Sequence, residues 1–146
     1  MRSALQLTMA FLLASTASAG QSAASSIRAE ISGLRNGRGV VRCLLFQTGD
    51  GFPSDPAKAV QRAVAQIEVG ATATCEFTDP PAGTLAVSFI HDENGNGKLD
   101  KNFFGVPTEG YGFSNDARGS MGPPAFEKAA FQHAAGVQVL RLAVVY

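Results

Sequence analysis

The chain has no tryptophan, two cysteines, two histidines and three methionines in 146 residues, and its 12 basic side chains are matched by 12 acidic ones. Each scarcity excludes something. Balanced, dispersed charge leaves no basic stripe for nucleic acid and no polybasic segment for an anionic lipid surface. Cysteines without a CxxC or a neighbouring histidine exclude the usual zinc spacings. There is no HExxH. Ser120 lies in Gly119-Ser120-Met121-Gly122, but Arg118 stands where a nucleophile elbow has its first glycine. Gly110-x-Gly112 lacks the third glycine of a dinucleotide site and reads as a turn. His133 lies in a stretch of small and polar residues and reads as solvated. Leucine, lysine and glutamate are too sparse for a helical bundle, while 16 glycines favour short strands and many turns.

What is there begins with a leader. Arg2 opens it, residues 5–14 are apolar, and Ala17-Ser18-Ala19 has the small-x-small pattern of a cleavage site, so residues 1–19 read as a secretory signal peptide. No cysteine follows the apolar run, as a lipoprotein would need. No later stretch approaches the roughly 20 apolar residues of a membrane helix. The expected product is a secreted or periplasmic chain over 20–146, about 125 residues, enough for one domain with a single core.

Strands are expected at 27–34, 40–47, 63–69, 71–77, 84–91 and 137–145, with a weaker one at 127–132. The helical spacing of Ala57, Val60 and Val64 predicts a short helix before the third of these strands. In 84–91, Leu85, Val87 and Phe89 share one face while Thr84, Ala86 and Ser88 share the other, the period of a half-buried strand. Asn36-Gly37-Arg38-Gly39 supplies a hairpin turn, and Pro80-Pro81-Ala82-Gly83 a rigid corner. Strands at this spacing indicate an all-β, immunoglobulin-like or transthyretin-like antiparallel sandwich of about seven strands. Cys43 has the parity of Val41 and Leu45, and Cys75 that of Ala73 and Phe77. Both therefore point inward, and an oxidising compartment predicts a disulfide, two buried free thiols being the alternative.

The most distinctive string follows strand 84–91: Asp92-x-Asn94-x-Asn96-Gly97-Lys98-x-Asp100, an oxygen-bearing side chain at alternate positions and a glycine at the sixth. A loop that wraps around a calcium ion needs this pattern, with Asp92, Asn94, Asn96 and Asp100 offering side-chain oxygens and Lys98 its carbonyl. Phe103 occupies the twelfth position, where a full loop has glutamate, so Ca²⁺ is expected to bind weakly, with Glu109 or Asp116 completing the set. The competing reading is a tight turn in which the Asx side chains bond their own backbone. His91 shares parity with Leu85, Val87 and Phe89 and reads as a cap on the inner face of the strand. Residues 92–136 are too long for a structureless loop in a compact domain. They carry Phe103, Phe104, Tyr111, Phe113, Phe126 and Phe131, so the segment is expected to be an ordered aromatic cap.

The run from Pro81 to Arg118, PAGTLAVSFIHDENGNGKLDKNFFGVPTEGYGFSNDAR, followed by GPPAFEKAAF, resembles an uncharacterised family of exported bacterial proteins labelled domain of unknown function 2141. The strand with its DxNxNG string is also similar, more distantly, to transthyretin-like and collagen-adhesin B-type modules. Leu85 stands where the resemblance leads one to expect tyrosine, which keeps burial and loses a hydroxyl. The resemblance implies a fold and no activity. Two functions are compatible with these residues. One is a small exported binding or structural module, not an enzyme. The alternative is a small-molecule or carbohydrate site, with or without hydrolytic chemistry, under the aromatic cap. An open pocket onto which His91, Glu109 or Tyr111 converge favours the second.

Overall fold

The computed structural model describes residues 24–146, so the expected leader lies outside the described residues. Eight strands form two sheets. One sheet holds β4 (Thr72–Thr78), β1 (Ser26–Ser32) and β8 (Val137–Ala143), in that order. The other runs β3 (Gln61–Ala65), β2 (Val40–Phe46), β5 (Gly83–Asp92) and β6 (Gly110–Phe113). A short β7 (Phe131–His133) pairs with the start of β5. The inward residues of both sheets are those the alternation marks: Ile27, Ala29 and Ile31 on β1, Val41, Cys43 and Leu45 on β2, Ala73, Cys75 and Phe77 on β4, and Leu85, Val87 and Phe89 on β5. Packed face to face, they make one core, the arrangement by which two amphipathic sheets remove their apolar faces from water.

Cys43 and Cys75 are bonded across that core, Cα to Cα 6.4 Å. The bond links β2 of one sheet to β4 of the other and ties the layers together at their centre. All strand pairings are antiparallel except β1 with β8, which run parallel from Ser26 opposite Val137 to Ser32 opposite Ala143. The sandwich expectation holds, and that one pairing corrects its antiparallel description. The expected strand at 63–69 begins and ends earlier, as β3, and no helix precedes it. The weak strand at 127–132 is a single helical turn, Phe126–Ala129, followed by β7.

The alternation along β5 implies a half-buried strand, but Ala86 and Ser88 on its outer face are buried as well. Their small side chains leave room for a second apolar layer of Phe113, Ala129, Phe52, Tyr111 and Phe126. Phe52 is the hub of this layer, with ring centroids 5.4 Å from Phe46, 6.0 Å from Phe113 and 5.8 Å from Phe126. β6 pairs with β5 only from Ser88 to His91, and β7 only from Gly83 to Leu85. Between them the buried hydroxyl of Ser114 completes the ladder, accepting from the Val87 N–H at 2.9 Å and donating to the Ala129 carbonyl at 2.5 Å. The 92–136 segment is thus ordered, but it lies over the outer face of a sheet. Its aromatics divide into three groups. Tyr111, Phe113 and Phe126 join the outer layer, and Phe131 packs on the main core. Phe103 and Phe104, expected inside the cap, are exposed.

Candidate functional site

The C-terminal end of β5 delivers three consecutive polar residues, His91, Asp92 and Glu93, into a cluster formed by the β1–β2 turn, the Asx–Gly loop and Tyr146. Gly39 allows this approach. It sits at φ 68°, and a Cβ there would lie 1.9 Å from the Asp92 carbonyl oxygen, so only glycine fits.

His91 is fully buried, its Nδ1 2.7 Å from the Tyr146 hydroxyl and its Nε2 2.8 Å from the Arg38 carbonyl. The carbonyl can only accept, so Nε2 donates. The Tyr146 hydroxyl accepts the Arg35 N–H at 2.9 Å, and the Arg35 guanidinium lies over the tyrosine ring at 4.5 Å. Burial pushes the phenol above its usual range, the Arg35 N–H and charge working against the rise. His91 is therefore the inner strand cap that its parity implies, and it is closed to solvent.

Glu93 receives Arg35 Nε at 2.7 Å, Asn36 Nδ2 at 3.0 Å and Arg38 at 2.8 Å. Burial alone would raise its pKa, but the donors of Asn36, Arg38 and Arg35 outweigh it and hold the carboxyl at about 2. This carboxylate ties the β1–β2 turn to the loop. Glu109, also buried, ties the two ends of the loop together: its oxygens accept the Glu93 N–H at 2.9 Å and the Asp100 N–H at 3.1 Å.

The five residues expected to hold calcium fall into two groups. Asp92 is fully buried. One of its oxygens accepts Arg42 Nε at 2.6 Å and the Gly97 N–H at 2.8 Å, and the other accepts the Asn96 N–H at 3.1 Å. Burial alone would raise the pKa of this carboxyl, but the Arg42 guanidinium and the backbone donors of Gly97 and Gly95 lower it. Asn94, Asn96 and Asp100 form the second group at the exposed rim. The Asn94 and Asn96 amides donate to the two Asp100 oxygens at 2.5 and 2.8 Å. The Asn94 and Asn96 carbonyl oxygens accept the N–H groups of Asn96 and Lys98, at 3.1 and 3.0 Å. Lys98 is exposed. In this geometry the loop satisfies itself through Asx turns, and every carboxylate oxygen has a donor. Asp116 is elsewhere, accepting the Ala143 N–H at 3.1 Å, so of the two extra acids only Glu109 adjoins the loop.

Among the described residues no cleft gathers His91, Glu109 and Tyr111. A cleft of about 140 Å³, below the roughly 300–1,000 Å³ of small-molecule sites, lies beside β6 and β8, lined by Tyr111, Phe113, Asp116, Arg118, Ala143 and others, and a more open hollow of about 380 Å³ lies over residues 119–125 and Lys128. His133, read as solvated, is buried instead, between Ser25 at 2.9 Å and Gln138 at 2.7 Å. Its partners are remote in sequence or lie one hairpin away, and no local pattern announces them.

The fold and this end of it define a small disulfide-linked β-sandwich with a structured polar loop cluster at one end. Residues 29–140 match the family described as an uncharacterised protein conserved in bacteria, DUF2141, and the chain belongs to that family. Comparison with curated proteins and with solved structures finds no match, and the fainter likeness to transthyretin-like and collagen-adhesin modules gains no support from them.

Proposed function

We propose that this protein is an exported, non-enzymatic binding module that uses the sandwich as a rigid base for its 92–109 loop. The observation that carries the reading is the inward closure of His91, Asp92 and Glu109, the acid–base groups at the loop end. A general base or nucleophile must reach the atom it acts on, whereas His91, Glu109 and Asp92 are buried and bonded to the protein itself. Phe52, Phe113 and Phe126 close into a packed layer, and the cleft that Tyr111 and Phe113 border holds neither His91 nor Glu109, which favours a binding or structural role over a carbohydrate or hydrolytic site.

Export rests on the leader-like residues 1–19, and the inter-sheet disulfide fits an oxidising compartment. Among the described residues no helix is long and apolar enough to cross a membrane. Expressed with its own N-terminus, the chain is expected outside the cytoplasm, shortened by the leader and without free thiol. Recovery of the uncut chain from the cytoplasm overturns export.

Weak calcium binding belongs to the same reading, supported by the clustering of Asn94, Asn96 and Asp100. Turning both amides end for end exchanges their donors for oxygens facing Asp100. The ion must also compete with Arg42 for Asp92 and with the backbone for the amide oxygens, which places it among weak extracellular sites, at roughly 10⁻⁴ to 10⁻³ M. A melting temperature indifferent to both calcium and EDTA removes the metal from this reading and leaves the loop as a self-bonded turn.

A further inference from the structure

Just beyond the Asx loop the chain makes a protruding tip whose apolar side chains face water. Phe103, Phe104 and Val106 are 96%, 84% and 56% exposed. The tip is built, not frayed. The Asn102 side-chain oxygen accepts the N–H groups of Phe104 and Val106 at 2.9 and 3.1 Å, and the Asn102 N–H donates to the Val106 carbonyl at 2.8 Å. Below them, Lys101 bridges to Pro107, and the Thr108 N–H bonds the Asp100 carbonyl at 2.8 Å. The two rings stand edge to face, 5.5 Å apart. A turn so fully bonded holds two phenylalanines away from every apolar surface of the fold, and exposed apolar groups on a shaped surface mark an interaction site.

We propose that this tip is a wedge that enters the interfacial layer of a membrane with anionic headgroups, which deepens the binding-module reading and rests on it. Two observations favour a bilayer over a protein groove. The tip is convex and offers three apolar side chains, far from the 20–30 residues a side of a stable protein interface, whereas a lipid surface accepts a wedge without a complementary shape. Charge supplies the second. Lys98 and Lys101 are exposed at the base of the tip, and neither is among the ion pairs of the described residues. The neighbouring acids are engaged within the fold: Asp92 by Arg42, Glu93 by Arg35 and Arg38, Glu109 by two backbone N–H groups, and Asp100 by the two asparagine amides. The donors of Asp100 and Glu109 are neutral and cancel no charge, so at this end the five bases Arg35, Arg38, Arg42, Lys98 and Lys101 exceed the four acids by one. The two exposed ammonium groups come just before the apolar tip in the chain, placed to meet anionic headgroups while the rings go deeper.

The absence of tryptophan provides the probe. Phe104→Trp puts the one indole of the chain at the tip, and its emission is followed with phosphatidylglycerol-containing and with pure phosphatidylcholine vesicles. Insertion is expected to shift the emission to the blue with the anionic vesicles, and spin labels on the acyl chains should quench it. In co-sedimentation, Phe103→Ser with Phe104→Ser in the otherwise unchanged chain should weaken partitioning about tenfold or more for each ring. Lys98→Glu with Lys101→Glu should remove the preference for anionic lipid. The substituted side chains are exposed, so an unchanged melting temperature checks the fold. Emission that stays at the wavelength of a water-exposed indole with anionic vesicles overturns the proposal. So does a blue shift that needs no lipid and grows with protein concentration, which assigns the tip to a second copy of the chain. Vesicle binding is read on purified protein, so its failure is separate from that of export, which is read by cell fractionation.

Discussion

Replacing Glu93 with glutamine and following unfolding by urea from about pH 7 down to about pH 2 tests whether the loop end is held by charge. The folded state lowers this carboxyl from 4.5 to about 2. A shift of that size corresponds to at most ~3 kcal/mol of linked stability. The Glu93 side chain is 6% exposed, but its partners Arg35 and Arg38 are 46% and 73% exposed, and solvent screening of exposed pairs reduces the expected contribution to about 1–2 kcal/mol. The sign follows from the direction. A group with a depressed folded-state pKa stabilises the protein above its unfolded value, so the contribution is full above about pH 5 and fades as the pH falls towards 2. Asp92, lowered as well, adds to the same acid-side loss in both proteins. The wild type should therefore exceed Glu93→Gln by about 1–2 kcal/mol at neutral pH, and the two curves should converge in acid. Part of the gap should also close in high salt, because the arginines are open to solvent. A gap that persists unchanged at low pH would refute the electrostatic account and leave Glu93 as a packing residue.

Four further outcomes follow from other parts of the molecule. Reducing Cys43–Cys75, which closes a separation of 32 residues, should lower stability by about 3–4 kcal/mol, measured by denaturant unfolding with and without reductant. Phe113→Ala should cost roughly 3 kcal/mol because it opens the outer aromatic layer, whereas Phe103→Ala at the exposed tip should change stability by less than about 0.5 kcal/mol; equal losses at the two positions would contradict the division of the aromatics. About 10 mM calcium at a dissociation constant near 10⁻⁴ M should stabilise the fold by roughly 2.7 kcal/mol and raise the melting temperature by several degrees, and Asp100→Ala should remove that shift. Asp92→Ala is the poorer test of the metal, since it leaves the Arg42 guanidinium without its buried partner and should cost about 2–3 kcal/mol with no calcium present.

The main core was legible in the sequence because it is a matter of parity. Alternation on β1, β2, β4 and β5 marks the inward face, and the same parity places both cysteines on it. β6 was not legible: Gly110-Tyr111-Gly112-Phe113 reads locally as a turn, and it becomes a strand only because β5 offers it an edge from Ser88 to His91. Gly112 shows the dependence, since a Cβ there would lie 2.4 Å from the Phe89 ring. At the loop end, the Asx–Gly string was visible as a structured loop, but the roles of its residues were not. Arg42 and Asp92 are 50 positions apart, and no local pattern pairs them. Phe103 and Phe104 misled for the opposite reason. Aromatic residues usually signal burial, and only the Asn102-capped turn reveals that these two are held outward.

The parallel pairing of β1 with β8 has a bearing on how the chain is made. β1 is the middle strand of its sheet, and its partner at Val137 follows Ser26 by about 110 residues, a delay of roughly 5–20 s at ordinary rates of synthesis. Its other neighbour, β4, is also distant, and the Cys43–Cys75 bond joins the layers only after both have emerged. The β4–β1–β8 sheet is therefore completed last, by a strand that emerges long after the core-facing residues of β1, β2, β4 and β5. Until β8 arrives, β1 in the middle of its sheet carries an unpaired edge that has to be shielded from other chains.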